Sequence, residues 1–258
     1  MSGESHRDAW EDWGAVDPLY AILTDPRYRH GGGDPAEFLA GGQGTVQMVL
    51  GEAARAGVVP RRDAALDFGC GIGRLTWALG EQFQSVVGLD VAASMVRRAR
   101  QLHATRERCA FAQHHGSDLR QYPDATFDCV LCLLVLQHLG SEHAIVTYLR
   151  EFVRVLRPGG LLAFQLPSKV PAPPSPPPLN TAEGLRRRAG PLLRRVGVGA
   201  GVLYRRLDWV PEMTMTAVPE EQTVDVLRGA GATVVHASEP ETDRGGTVSR
   251  LYYVTRPR

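Results

Sequence analysis

The stretch Leu66-Asp67-Phe68-Gly69-Cys70-Gly71-Ile72-Gly73-Arg74-Leu75-Thr76 sets three glycines directly after a short apolar run, Ala64–Phe68. Glycines where a strand turns into a helix let the backbone approach a ligand closely and adopt dihedrals that a Cβ forbids. The spacing is G-x-G-x-G. A dinucleotide fingerprint, G-x-G-x-x-G, needs glycine where this chain has Arg74. Acids accompany the apolar runs: Asp67 stands two residues before the first glycine, and Asp90 closes Ser85–Leu89. A carboxylate at that second position can accept both hydroxyls of a ribose. Asp118, in Gly116-Ser117-Asp118-Leu119 after the run Cys109–His114, can accept a hydrogen bond from an exocyclic amine. Three acids in series suit a ligand bearing an amine, a ribose and a purine, and they repel a pyrophosphate.

These residues need a scaffold that presents successive strand ends. From Ala64 to Leu166 short apolar runs alternate with amphipathic stretches, which implies a parallel, doubly wound sheet. The strands expected are Ala64–Phe68, Ser85–Leu89, Cys109–His114, Phe127–Cys132 and Leu161–Leu166. Helices are expected over Ser94–Arg106, with Ser94 as N-cap, and over Ser141–Leu156. Pro158-Gly159-Gly160 stops the second helix and turns the chain into the fifth strand. Later come a helix at Glu220–Gly229 and strands at Ala232–Ala237 and Arg250–Thr255. Ahead of the sheet, Asp34–Ala56 reads as a helix weakened by Gly41, Gly42 and Gly44. Pro167–Pro178 reads as an extended polyproline connection.

Four segments together resemble the class I S-adenosylmethionine-dependent methyltransferases, in the small-molecule branch with the common methyltransferase domain. They are LDFGCGIGRLT (66–76), VVGLD (86–90), HGSDL (115–119), and FDCVLCLLVLQHL (127–139) with LRPGG (156–160). The resemblance implies an α/β fold: a doubly wound seven-stranded sheet of order 3-2-1-4-5-7-6, the seventh strand antiparallel. It implies S-adenosyl-L-methionine as cofactor and S-adenosyl-L-homocysteine as its product. Asp67 and the loop Gly69, Cys70, Gly71 and Gly73, with Arg74 at its exit, would hold the methionine moiety. Asp90 would hold the ribose, Val91 flank the adenine, and Asp118 with the Leu119 amide bind the adenine edge. Leu133 would offer backbone to the amino-acid end. The segment 17–42 looks like the leader of an actinobacterial-type subgroup, in which a helix closes over the cofactor. The expected division is a leader over 1–60 and a Rossmann-like methyltransferase domain over 61–258, with a Pro- and Arg-rich lid insertion at 167–218.

His138, just after the fourth strand, is placed to act as a general base or to serve as a structural histidine; Tyr28 and His30 in the leader are candidates to face the acceptor. Cys129 and Cys132 have C-x-x-C spacing, but side chains three apart on a strand face opposite ways, so they read as core thiols. His114 and His115 are adjacent and lack a third ligand, and no metal site is expected. The 258 residues carry a formal net charge of +1, which argues against a chain built chiefly to coat nucleic acid or an anionic membrane. Four cysteines make no disulfide framework, and the polar N-terminus has no signal-peptide core, so a cytoplasmic protein is expected. Arginine clusters at 186–188, 194–195 and 205–206 read first as a solvated helix face over the active site, with an acidic substrate, RNA or a membrane as alternatives. No membrane span is expected, and nucleic acid is disfavoured as a partner because the segment through Val202 has no aromatics for stacking. The expected activity is methylation of a small-molecule acceptor, at a natural-product or sugar oxygen. The alternatives are an S-adenosylmethionine-binding cyclase or non-methylating binding protein and, behind it, an RNA methyltransferase.

Overall fold

The computed structural model describes residues 3–172, 177–178, 180–209 and 213–258. Eight strands share one sheet: β1 (Ala64–Phe68), β2 (Ser85–Asp90), β3 (Cys109–Gln113), β4 (Phe127–Cys132), β5 (Leu156–Lys169), β6 (Thr233–Ala237), β7 (Glu241–Thr242) and β8 (Val248–Thr255). Their order is β3-β2-β1-β4-β5-β8-β6, with β7 paired to β8. The pairs β1–β2, β1–β4, β2–β3 and β4–β5 are parallel, and β8 runs antiparallel to both β5 and β6. This is the expected architecture with one addition. The two-residue β7 precedes the antiparallel strand, which is therefore the eighth rather than the seventh.

Strand β5 is longer than expected at both ends. Leu156 already pairs with Phe127, and after a bulge Cys129 opposes Leu161. Gly159, at φ +76°, absorbs the extra length, and its amide donates to the Arg256 carbonyl at 2.7 Å. At the other end Pro167 pairs with Ser249, so the proline-rich run begins inside the sheet. Pro167 has no N–H to donate, but its carbonyl accepts from the Val218 amide at 3.0 Å. Positions 173–176 of that run lie outside the described residues.

Nine helices are described: α1 (Gly3–Val16), α2 (Pro18–Leu23), α3 (Pro35–Arg55), α4 (Arg74–Gly80), α5 (Ala93–Leu102), α6 (Glu142–Val155), α7 (Ala182–Arg195), α8 (Ala200–Leu207) and α9 (Glu220–Gly229). Three begin with a side-chain cap: the Ser141 hydroxyl accepts from the Ala144 amide, the Asp34 carboxylate from the Ala36 amide, and the Thr181 hydroxyl from the Gly184 amide. In α3, Gly42 lies so close to the Arg74 backbone that a Cβ would overlap it, so a helix-weakening residue is what lets α3 ride on the start of α4. Helix α5 starts at Ala93, and Ser94 is not its cap. The Ser94 amide instead donates to the Glu11 carboxylate of α1, at 3.0 and 3.1 Å.

Each sheet face is covered by apolar helix faces. On one, Leu66, Val130, Cys132 and Leu162 pack with Ile145 and Phe152 of α6 and Leu227 of α9. On the other, Ala65, Cys129, Leu131 and Ala163 pack with Val46 and Val49 of α3 and Leu79 of α4. Cys129 and Cys132 thus face opposite layers, as strand alternation requires. Helix α3, inside the stretch expected as leader, belongs to the helical layer of the sheet. No helix among the described residues is long and apolar enough to cross a membrane.

At the amino ends of the strands, buried Asp128 accepts from the Asp63 and Ala64 amides at 3.0 and 2.9 Å and from the Arg157 guanidinium at 3.0 Å. Asp128→Ala strands two amides and a cation and should lower stability by about 3 kcal/mol in urea unfolding. The carboxyl-end rim lies at the opposite end of the strands, so ligand affinity of the folded variant should match wild type.

Candidate cofactor and active site

The glycine loop leaves β1 and enters α4. Gly69 and Gly71 both have positive φ, +78° and +53°, a region that favours glycine. Both are also crowded: a Cβ on Gly69 would overlap Val135 beyond β4, and one on Gly71 would lie 2.7 Å from Ile22 of α2. The loop is therefore pressed between the β4 exit and the leader.

Asp90 stands at the tip of β2 with one oxygen accepting from the Gly71 amide (2.8 Å) and the other from the Ala92 amide (2.9 Å). Each oxygen keeps an outer lone pair, enough to accept two vicinal hydroxyls. Asp67 is fully buried beneath the loop and accepts from the Thr76 hydroxyl at 2.6 Å. Burial pushes both carboxyls up to about 6, against the hydrogen bonds that favour their ionised forms. Cys70 is a buried thiol whose pKa burial raises far above its ordinary value.

Arg74 turns away from the loop. It is buried, donates to the Thr45 hydroxyl of α3 at 3.3 Å and lies over the Phe38 ring at 5.8 Å. A cofactor contact by its side chain is therefore not supported; it fastens α3 to α4. Val91 is tied to β3 by its carbonyl, which accepts from the Gln113 amide group at 3.1 Å. The Leu119 amide, expected at the adenine edge, donates to the Glu151 carboxylate at 2.8 Å, and its side chain is buried in the core. That donor is engaged by α6, which corrects the expectation. Asp118 accepts from the Arg120 amide at 3.2 Å and pairs with its guanidinium. His114 is buried: its Nε2 donates to the Tyr148 hydroxyl, which donates to the Gly116 carbonyl, leaving Nδ1 to accept from Gln121. Burial lowers its pKa and keeps it neutral.

The leader covers this rim. Glu11 caps α5, the Arg98 guanidinium donates to the Ala15 carbonyl at 3.0 Å, and Trp13, Ala21, Tyr28 and Phe38 pack with Ile72 of the glycine loop. Trp10 meets the His138 ring edge-on at 5.2 Å, so α1 bridges from the β2 exit to the β4 exit. Leu133, just past β4, packs partly against the α3–α4 layer. Tyr28 is buried against Phe38 and belongs to the leader's own core. His30 sits at a joint between leader and α8, its ring over Tyr204 at 4.7 Å. There the buried Asp17 accepts from the Tyr204 hydroxyl (2.7 Å) and the His30 amide (2.6 Å), and Arg29 pairs with Asp208 at 2.7 Å. Burial, and then the Asp17 carboxylate, push the Tyr204 hydroxyl up to about 12. Sequence reading missed Glu11, Asp17 and Tyr204, because 187 positions separate the last two and no local pattern joins them. A cavity of 510 Å³ bounded by Arg150, Glu221 and Asp225 lies between α6 and α9, away from these groups.

Residues 66–164 match the family described as the methyltransferase domain. Over this segment, less than half of the chain, the protein is similar to that family. The chain is similar to trans-aconitate 2-methyltransferase of Azoarcus sp. (strain BH72), 41% identical over 120 residues, covering 45% of this chain and 44% of that protein. It also resembles the ubiquinone biosynthesis O-methyltransferase of Maricaulis maris, 32% identical over 99 residues and covering 38% and 37%. The chain therefore spans less than half the length of these curated relatives. The fold is shared with magnesium protoporphyrin IX methyltransferase from Synechocystis PCC 6803, solved with bound S-adenosylmethionine: TM-score 0.60, 18% identity, 99% and 98% of the two chains covered. The outer lone pairs of Asp90 suit the vicinal hydroxyls of a ribose.

Two outcomes follow for this domain and its cover. Folded-state values near 6 lie above the ordinary carboxyl value of 3.8, so folding takes up protons between them, and stability falls as pH rises through that window. Asp67→Asn keeps an acceptor for Thr76 without the buried charge, so its melting temperature relative to wild type should be higher at pH 8 than at pH 4. Tyr204→Phe removes one of the two bonds to Asp17 and should cost about 1 to 2 kcal/mol, with faster hydrogen exchange at the His30 amide.

Proposed function

We propose that the chain is an S-adenosylmethionine-dependent methyltransferase that acts in the cytoplasm on a small molecule, at an oxygen of a natural product or sugar. The observation that carries this reading is Asp90, held by two backbone amides at the carboxyl end of β2, beside a glycine loop. The similarity to the two curated methyltransferases supports a small acceptor. When bound, S-adenosylmethionine supplies an electrophilic methyl group on a sulfonium.

The chain's own residues do the rest. Asp90 accepts the ribose hydroxyls, and Val91 borders the adenine with Asp118 near its edge. The backbone of Gly69–Gly73 and of Leu133 faces the amino-acid end, and Asp67 braces the loop from beneath through Thr76. The leader and the described parts of the insertion at 167–218 form a lid that excludes water and holds the acceptor close to the methyl group, where most of the rate gain of such a displacement arises. His138, steadied by Trp10, takes the proton from an acceptor hydroxyl as it attacks.

Addition of S-adenosyl-L-homocysteine should raise the melting temperature, and Asp90→Ala should abolish that shift. No shift in the wild-type protein would sink the reading. In a turnover assay, His138→Ala should lower kcat by about a hundredfold or more while leaving cofactor affinity nearly unchanged; wild-type turnover would make His138 a structural residue.

A further inference from the structure

Helix α7 and its neighbour α8 carry a surface that cofactor binding does not use. Between positions 182 and 207 the chain has seven arginines and one acid, Glu183. Leu185, Leu192 and Val196 are spaced by seven and four residues, which aligns them in one stripe along α7 and its C-cap. All three point to solvent, with exposures of 59%, 59% and 77%. Single exposed leucines are ordinary, whereas three in register on one helix are not.

The opposite side of α7 faces the protein. Gly184 and Gly190 are buried there, and a Cβ at Gly190 would overlap the Trp209 indole. Arg194 pairs with Asp12 of α1 at 2.8 Å, which fixes the helix against the leader. Arg188 and Arg195, by helical geometry, border the apolar stripe, and neither pairs with a carboxylate among the described residues. Helix α8 adds half-exposed Val202 with exposed Arg205 and Arg206.

An apolar stripe edged by guanidinium groups that meet no carboxylate among the described residues is the pattern of a helix lying in a lipid interface, with the leucines in the acyl boundary and arginines at the phosphates. Long arginine stems reach the headgroups while their methylenes cover apolar surface. We infer that the outer face of α7 docks on an anionic lipid bilayer as a surface contact that does not span it. Charge complementarity selects the occupant: the chain as a whole is near neutral, but this face is strongly cationic. RNA would use the cations and not the leucines, and residues 182–203 hold no aromatic side chain on which a base could stack. Because α7 and α8 are fastened to the leader through Arg194–Asp12 and Tyr204–Asp17, a bilayer bound here would lie beside the elements that cover the cofactor rim.

The test is co-sedimentation of the full chain with vesicles of phosphatidylcholine containing roughly one-third phosphatidylglycerol, against vesicles of phosphatidylcholine alone. Expected is binding to the anionic vesicles at least tenfold above the neutral ones, weakened by salt. The pairs Leu185→Ser with Leu192→Ser, and Arg188→Glu with Arg195→Glu, should each reduce it at least tenfold. Circular dichroism melts unchanged from wild type establish that both variants fold. Absence of wild-type binding, equal binding to both vesicle types, or full binding by either folded variant overturns the inference. Retention of a poly(U) RNA or an acidic protein by a chain that ignores vesicles overturns it too.

Discussion

Asp90 brings the β2 tip, the glycine loop and the start of α5 to one carboxylate. Its two oxygens each take a backbone amide, from Gly71 and Ala92, and these bonds hold an acid whose ionisation burial opposes. The loop geometry follows from this contact. Gly71 lies where its amide reaches Asp90, and Gly69 where Val135 crosses without room for a Cβ. The Asp67–Thr76 bond closes the same loop from beneath. A site of this kind depends on parallel strands ending together, and the β3-β2-β1-β4-β5 part of the sheet provides that.

A second layer of polar contacts attaches the cover. Glu11 places a carboxylate at the amino end of α5, where unpaired amides and the helix dipole favour an anion. Asp17 joins Tyr204 of α8 to the His30 amide, so the leader and the segment beyond β5 are fastened to one another as well as to the sheet. Left-handed backbone at Thr24, His30 and Asp208 marks where the chain turns to make these contacts. Such turns cost energy in non-glycine residues, and the surrounding hydrogen bonds hold them in place.

The acids of this chain show how far residue type is legible. Asp67 and Asp90 were read from their positions at strand ends, and both sit at the loop. Asp128 has the same chemistry but lies at the amino ends of the strands, where it binds Arg157 and two amides. Leu119 was expected to offer a free amide, but Glu151, on a helix that begins beyond β4, accepts it. Ser94 had the residue type of an N-cap, yet Glu11, far earlier in the chain, meets its amide. In each case local sequence fixes what a group can do, and a distant partner fixes what it does.

The sequence by itself determined the strands β1 and β4 to the residue, the parallel character of the sheet, the glycine loop and its flanking acids. These are local signals: hydrophobic runs bounded by turn residues, glycines at turns, and carboxylates at strand ends. The tertiary structure decided the extension of β5, the extra strand β7, the role of Gly42 beneath α3, the inward turn of Arg74 and the Asp17–Tyr204 joint. It also decided which side of α7 faces water, since the burial of Gly184 and Gly190 and the Arg194–Asp12 pair orient that helix. These features arise from contacts between residues far apart in sequence, and which atoms meet there is fixed only once the whole chain has packed.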